Sequence, residues 1–206
     1  MLESTNSLSR FLQKTSFQKL CAVLDLIPFK PVDVGLYYSL HVKDIPKNLP
    51  SEFNVKIREG SEADIEELVL CIDKRQRFLT RFRQGEHCLL AFDDEQVAGF
   101  IWYSIKDVYE EEQARYQLTV PRNTVYSFDE YVSPEHRRKG ILSQLFAVLY
   151  EWMGRTGRDT ILILIAHDNE VSWEAHLKKG FVPLNRISYL RIFGWRMYHV
   201  RSAVSR

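Results

Sequence analysis

The sequence predicts a mixed α/β (α+β) domain, and three observations carry that expectation. Stretches with apolar residues at helical spacing alternate with short strand-like runs, in the order β-α-α-β-β-β-α-β-α-β. Ile161-Leu162-Ile163-Leu164-Ile165 is a continuous apolar run, the pattern of a strand covered on both faces. Around Tyr131 to Leu142 a strand pattern gives way to a basic, glycine-containing turn and then to an amphipathic helix. No internal repeat and no low-complexity tract interrupts this order.

The elements follow from local signals. Leu8, Phe11 and Leu12, then Phe17, Leu20, Cys21 and Leu24, have helical spacing, so residues 7–25 read as an amphipathic helix or two short ones. Its expected partner is the domain itself. Pro28 and Pro31 end it, Val34 to Leu40 is strand-like, and Pro46 and Pro50 mark a linker. Phe53 to Ile57 alternates as a strand. Ser61 with Asp64 is a capping-box signature, and Ile65, Leu68, Val69 and Ile72 continue it at helical spacing. A second helical piece runs through Phe78, Leu79 and Phe82 to a stop at Gly85. Residues 88–92 and 97–103 flank Asp93-Asp94-Glu95 as a β-hairpin. The acidic run Glu110 to Glu112 reads as a solvated loop. Val125 to Val132 is a strand. Leu145, Val148, Leu149 and Trp152 form the buried stripe of the next helix, ended by Gly154 and Gly157. Asn169 caps a further helix, closed by Gly180-Phe181, and residues 187–193 form a final strand.

Length and composition bound the possibilities. The 206 residues fit one domain with an appended segment, here residues 1–52 before a domain of 53–206. Hydrophobic residues make up 45% of the chain, enough for a core. The formal net charge of +1 makes the molecule no general magnet for nucleic acid. Charge is uneven, however: no Asp or Glu follows Glu174, and five arginines, Arg186 to Arg206, fall in that tail. The three cysteines, Cys21, Cys71 and Cys88, lie in apolar contexts and read as buried free thiols in a reducing compartment. Cysteine and histidine spacings match no metal site, so no metal is expected. No apolar run reaches membrane-spanning length, and Gln13, Lys14, Gln18 and Lys19 break up any signal-peptide core. The expectation is a cytoplasmic protein with no transmembrane segment.

The turn at Arg137-Arg138-Lys139-Gly140-Ile141-Leu142 is the stretch with chemistry in it. A helix start offers unpaired N–H groups and the positive end of the helix dipole. Cationic side chains and a glycine that lets backbone approach a ligand complete the requirements of an anion site.

These residues, with others at fixed spacing, resemble the GNAT superfamily of N-acetyltransferases. The superfamily's coenzyme A loop reads Arg/Gln-x-x-Gly-x-Gly/Ala. Arg137 and Gly140 match its first two fixed positions, and Leu142 departs from the third. A second stretch in the superfamily has Asn, Ser three later, and Gly-Phe at eleven and twelve, matched by Asn169, Ser172, Gly180 and Phe181. Val132-Ser133-Pro134 matches a Val-x-Pro at the end of the fourth strand. The likeness spans roughly residues 53–194. It implies a mostly antiparallel sheet of about six to seven strands, with strands four and five splayed apart and helices flanking them.

The resemblance also implies a mechanism. Acetyl-CoA, or another acyl-CoA, would lie with its pantetheine arm in the splay, against backbone near Tyr131 and Val132. Its diphosphate would sit on the N–H groups of residues 138–142, with charge from Arg137, Arg138 and Lys139. Asn169 and Ser172 would belong to the coenzyme site. Asp129 stands where many superfamily members carry an acid, as base or amine-orienting group. The superfamily often has Tyr seven residues after the Asn, giving a proton to the leaving sulfur. Here that position is His176, which can donate near neutral pH. Tyr126 and Tyr131 are further candidates.

Two function classes stay open. One is an acyl-CoA-dependent N-acyltransferase acting on a small-molecule or peptide amine, with a homodimer among the expected assemblies. The other is a non-catalytic module binding coenzyme A or a protein on the same fold. Leu142 and His176, both departures from the superfamily pattern, lean to the second; the Arg137–Gly140 loop and Asn169 lean to the first. Nucleic-acid binding by the arginine tail is a weaker third, because no recognised motif accompanies it.

Overall fold

In the computed structural model the described residues are 32–42, 55–112, 115–192 and 195–202. The helix expected within residues 7–25, the linker at Pro46 to Pro50 and Cys21 lie outside them. Ten strands are described: β1 (Val32–Val42), β2 (Lys56–Glu59), β3 (His87–Asp93), β4 (Gln96–Ser104), β5 (Val108–Glu110), β6 (Gln117–Thr119), β7 (Thr124–Val132), β8 (Thr160–Ala166), β9 (Val182–Ile192) and β10 (Trp195–Ser202). Four helices accompany them: α1 (Ile65–Cys71), α2 (Arg75–Arg83), α3 (Ile141–Thr156) and α4 (Glu170–Leu177).

Eight strands form one sheet, in the order β10-β9-β1-β8-β7-β4-β3-β2, and β5-β6 form a separate hairpin. Every pairing in the large sheet is antiparallel except β7 with β8. The sheet is wider than the six to seven strands the resemblance implies, since β1 and β10 both join it. The final strand is longer than residues 187–193 and is followed by β10, which the sequence reading does not contain.

Strand alternation sorts side chains onto two faces. Leu89, Ala91, Ala98, Ile101, Ile161, Ile163 and Ile165 pack with α3 through Leu145, Phe146 and Leu149. Cys88, Leu90, Phe92, Phe100 and Trp102 face the other way, against Ile65, Leu68 and Phe78 of α1 and α2. Leu162 and Leu164 are covered on that second face by Tyr109 and Leu118 of the hairpin. The continuous apolar run of β8 is thus explained by cover on both sides. The capping box at Ser61 forms with both of its hydrogen bonds and starts a 3-10 turn that leads into α1. Gly157, at φ 72°, caps α3; Gly154 lies inside that helix rather than ending it.

The acidic run is not a solvated loop. Glu110 ends β5, and Glu112 bridges to Arg77 at 3.1 Å and Arg81 at 2.8 Å. Burial pushes the half-buried Cys71 thiol up to about 11, and Cys88 is fully buried, so both remain poor nucleophiles.

Candidate functional site

Strands β7 and β8 pair in parallel only from Thr124↔Thr160 to Ser127↔Ile163. Beyond that point β7 continues along β4 to Val132, and β8 continues along β1 to Ala166. The two strands therefore part, and a cavity of about 880 Å³ opens at their ends. One residue of β1, Tyr37, reaches its lining.

The turn after β7 forms the mouth of this cavity. Arg138 and Gly140 both take left-handed backbone, at φ 64° and φ 79°. Alternation of left-handed residues turns successive N–H groups inward, the geometry of an anion cradle. Glycine at 140 is thus needed for its backbone angle as well as for close approach. Ile141, Leu142 and Ser143, in the first turn of α3, line the same space, and a helix start leaves its first N–H groups without intrahelical partners. Arg137, Arg138, Gly140, Ile141 and Leu142 line the cavity; Lys139 does not. Arg137 Nε donates to the carbonyl of Val132 at 3.2 Å, fixing the start of the turn to the strand end. Tyr131, Val132, Asn169 and Ser172 also line the cavity. Asn169 Oδ1 accepts the Ser172 N–H at 3.2 Å and so caps α4.

A relay behind the turn was not foreseen. Ser133 Oγ lies 2.6 Å from His136 Nδ1, and His136 Nε2 lies 2.8 Å from Asp93 Oδ2. The order hydroxyl–imidazole–carboxylate matches that of a hydrolase nucleophile site. Ser133 is only 6% exposed and is absent from the cavity lining, however, so no substrate reaches it. The relay instead ties the turn to the end of β3. Gly99 brings β4 close at the same place. A Cβ there would lie 2.7 Å from the Tyr131 carbonyl oxygen.

Asp129 and Glu130 sit at a β-bulge, marked by the register shift between Phe100 and Trp102 and by φ 47° at Asp129. They point to opposite sides, as alternation predicts for this pair. Asp129 meets Lys74 Nζ at 2.8 Å and Arg81 Nη1 at 2.6 Å. Burial opposes its charge, but the two cations win and hold the carboxyl below its usual range. Glu130 faces α4. Its Oε2 lies 3.0 Å from His176 Nε2, and its Oε1 accepts from Ser127 Oγ at 3.1 Å. The bulge is what puts Ser127 and Glu130 on one side.

His176 is 3% exposed and lies edge-on to Phe146 and Phe181. Its Nδ1 donates to the Ser172 carbonyl at 2.7 Å, so with Nε2 on Glu130 both ring nitrogens act as donors. Burial disfavours the charged ring, yet the Glu130 charge and hydrogen bond, helped by that carbonyl, raise its pKa. Glu130 is correspondingly lowered despite its burial. Lys179, beyond His176 on the same cavity wall, is lowered by burial, which outweighs Glu130. Burial takes the Tyr126 hydroxyl far above its usual range, and Tyr131 is raised less. Sequence reasoning missed Lys74, Arg77, Arg81 and the Glu130–His176 pair. The first three were within reach, since spacing of three and four places them on one helical stripe.

A mixed sheet splayed at two parallel strands, with a left-handed glycine turn at the mouth and a buried ion pair in the wall, frames the cavity. The sequence matches the acetyltransferase (GNAT) family over residues 54–181, and the chain belongs to that family. No curated protein matches it. Among solved structures it is similar to a functionally unknown conserved protein from Staphylococcus epidermidis, at 14% identity and TM-score 0.61, covering 86% of this chain and 67% of that one. A putative GNAT-family acetyltransferase from Novosphingobium aromaticivorans gives 13% identity and TM-score 0.53, covering 87% and 71%. AAC(6')-Iy in complex with the bisubstrate analogue CoA-S-monomethyl-acetylneamine gives 18% and 0.50, covering 63% and 92%. At these identities the likeness is one of fold. Among the described residues no cluster of three or more His, Cys, Asp or Glu could hold a metal ion, and no helix is long and apolar enough to cross a membrane.

Proposed function

We propose that the chain is an acyl-CoA-dependent N-acyltransferase that moves an acetyl group to a primary amine by direct attack in a ternary complex. The observation that carries this reading is the shared cavity: the turn at 137–142, the open ends of β7 and β8, and the His176 face of α4 all line it. The cradle fits a diphosphate, because Arg138 and Gly140 hold left-handed angles beside two arginine side chains. Acetyl-CoA would supply the thioester; attack by a neutral amine would form the C–N bond and break the C–S bond, with one amine proton passing to solvent and the leaving thiolate taking the His176 proton. Strand ends near Tyr131 and Val132 would align the pantetheine arm, which is a contribution of proximity and orientation.

Residue roles follow from the contacts. Asp129, held ionised by Lys74 and Arg81, is a weak base and suits orientation of the amine. His176 carries the proton for the departing sulfur. That role requires its Nε2 proton, directed at Glu130, to be shared with a thiolate in the cavity. This engagement of both ring nitrogens is also the observation that favours the second reading, a non-catalytic coenzyme A-binding or protein-interaction module.

Free-thiol release from acetyl-CoA over a panel of amines separates the two, since only a transferase gives acceptor-dependent thiol. Gly140→Val should weaken coenzyme binding at least tenfold, on the order of 1.4 kcal/mol or more, in calorimetric titration. Equal affinity in the variant would remove the turn from the coenzyme site.

A further inference from the structure

We infer that the acceptor is an amine that itself carries a carboxylate, a free amino acid or a close relative, rather than a polycation. The inference rests on the acyltransferase reading above and concerns the wall built by α2 and the β5–β6 connection. Lys74, Arg77 and Arg81 are spaced by three and four residues, so they share one face, and all three line the cavity. They belong to a different element from the arginines of the coenzyme turn.

The three cations differ in what they can offer a ligand. Arg81 is 4% exposed and closed: Nε and Nη2 bind the two oxygens of Glu112, and Nη1 binds Asp129. It organises the wall. Lys74 gives one bond to Asp129 and is 27% exposed. Arg77 gives its Nε to Glu112 and is 42% exposed. Two ammonium hydrogens of Lys74 and the outer edge of the Arg77 guanidinium therefore remain for a ligand. A guanidinium edge accepts a carboxylate through two parallel hydrogen bonds. Glu112 and Asp129 interleave with these cations and supply the counter-charge for an ammonium group. The wall is thus a mosaic of both signs, complementary to a zwitterion. A polycationic amino sugar would have to compete with Lys74, Arg77 and Arg81 for Glu112 and Asp129, carboxylates these cations already engage, while an amine without an anion leaves the Arg77 edge unused.

Calorimetric titration of the full chain, saturated with coenzyme A, tests this independently of turnover. The probes are the free L-amino acids, the same compounds as carboxamides, kanamycin, and O-phosphoethanolamine. At least one amino acid should bind at least about tenfold tighter than its carboxamide. Arg77→Gln, and separately Lys74→Gln, should narrow that gap, while Arg83→Gln, a control outside the cavity lining, should keep it. The inference is overturned if no amino acid binds, if acid and carboxamide bind equally, or if kanamycin or O-phosphoethanolamine binds tighter than every amino acid. The two readings fail separately. Thiol release with carboxamides or kanamycin alone keeps the acyltransferase and sinks the acceptor class. Selective amino acid binding without thiol release from acetyl-CoA keeps the wall as an amino acid site and sinks the acyltransferase.

Discussion

At the scale of single residues, the Glu130–His176 pair bears on stability and, in the proposed reaction, on chemistry. If His176 protonates the leaving sulfur, His176→Phe should lower kcat by roughly 10²-fold with little change in coenzyme affinity, as read by steady-state kinetics and titration. An unchanged kcat at pH 7 would assign the ring to packing against Phe146 and Phe181. The pair also sets a pH window. The raised His176 contributes stability fully below its unfolded value of about 6.5, and that contribution is lost as pH rises through the raised folded value. The lowered Glu130 contributes above its unfolded value of about 4.3, and that contribution is lost as pH falls through the lowered one. Glu130→Gln should therefore cost most between these limits. The difference in melting temperature between parent and variant should shrink as pH is raised into the alkaline range. A difference that stays constant with pH would mean the imidazole is not charged in the fold.

At the scale of elements, the Ser133–His136–Asp93 relay fastens the turn after β7 to the end of β3. His136→Ala should free the turn and weaken coenzyme binding about fivefold, on the order of 1 kcal/mol, with kcat at saturation retained. Titration showing no loss would mean that Arg137 on the Val132 carbonyl suffices to hold the turn. What could be read from the sequence was what the chain writes locally. The capping box at Ser61, the Asn169 cap, the β3–β4 hairpin and the glycine turn at 140 are signals within a few residues. The two-sided cover of β8 was equally legible, because burial on both faces leaves an unbroken apolar run. The elements that escaped lack such a signature. Strand β10 is an edge strand with Trp195 82% exposed and Met197 58% exposed, so no burial imposes alternation on it. Glu112 looks like a solvated acid because its partners, Arg77 and Arg81, lie on α2, far upstream. Ser127 and Glu130 share a side only because a bulge intervenes. The pairings between elements, Glu112 with Arg77 and Arg81 and Glu130 with His176, were therefore not legible, while the glycine turn, contained in one stretch, was.

At the scale of the whole molecule, β1 has the largest effect. The stretch Val34 to Leu40 was legible as a strand but its position was not: it pairs with β8 on one side and β9 on the other, inside the sheet. We propose that residues 1–52 fold as one unit with 53–206 and help shape the acceptor side, where Tyr37 reaches the cavity lining. The full chain should then melt in a single transition. Deleting residues 1–50 removes β1 and leaves the facing edges of β8 and β9 without partners. The truncated chain should melt lower in calorimetry and aggregate. A truncation that is soluble, equally stable and equally active would show that the segment serves an outside partner.

The place of β1 has a consequence for how the molecule comes into being. On the ribosome β1 emerges well before its two neighbours, β8 and β9, which lie more than a hundred residues downstream. Tyr37 must find both Ala166 and Ile187. Until both are made, the backbone of β1 has no strand partner in the sheet. Pairings this distant in sequence carry a large loop-closure cost and slow the search. Closure of the sheet around β1, and with it the wall that bears Tyr37, therefore awaits β8 and β9, and a chain with open strand edges is prone to associate until then.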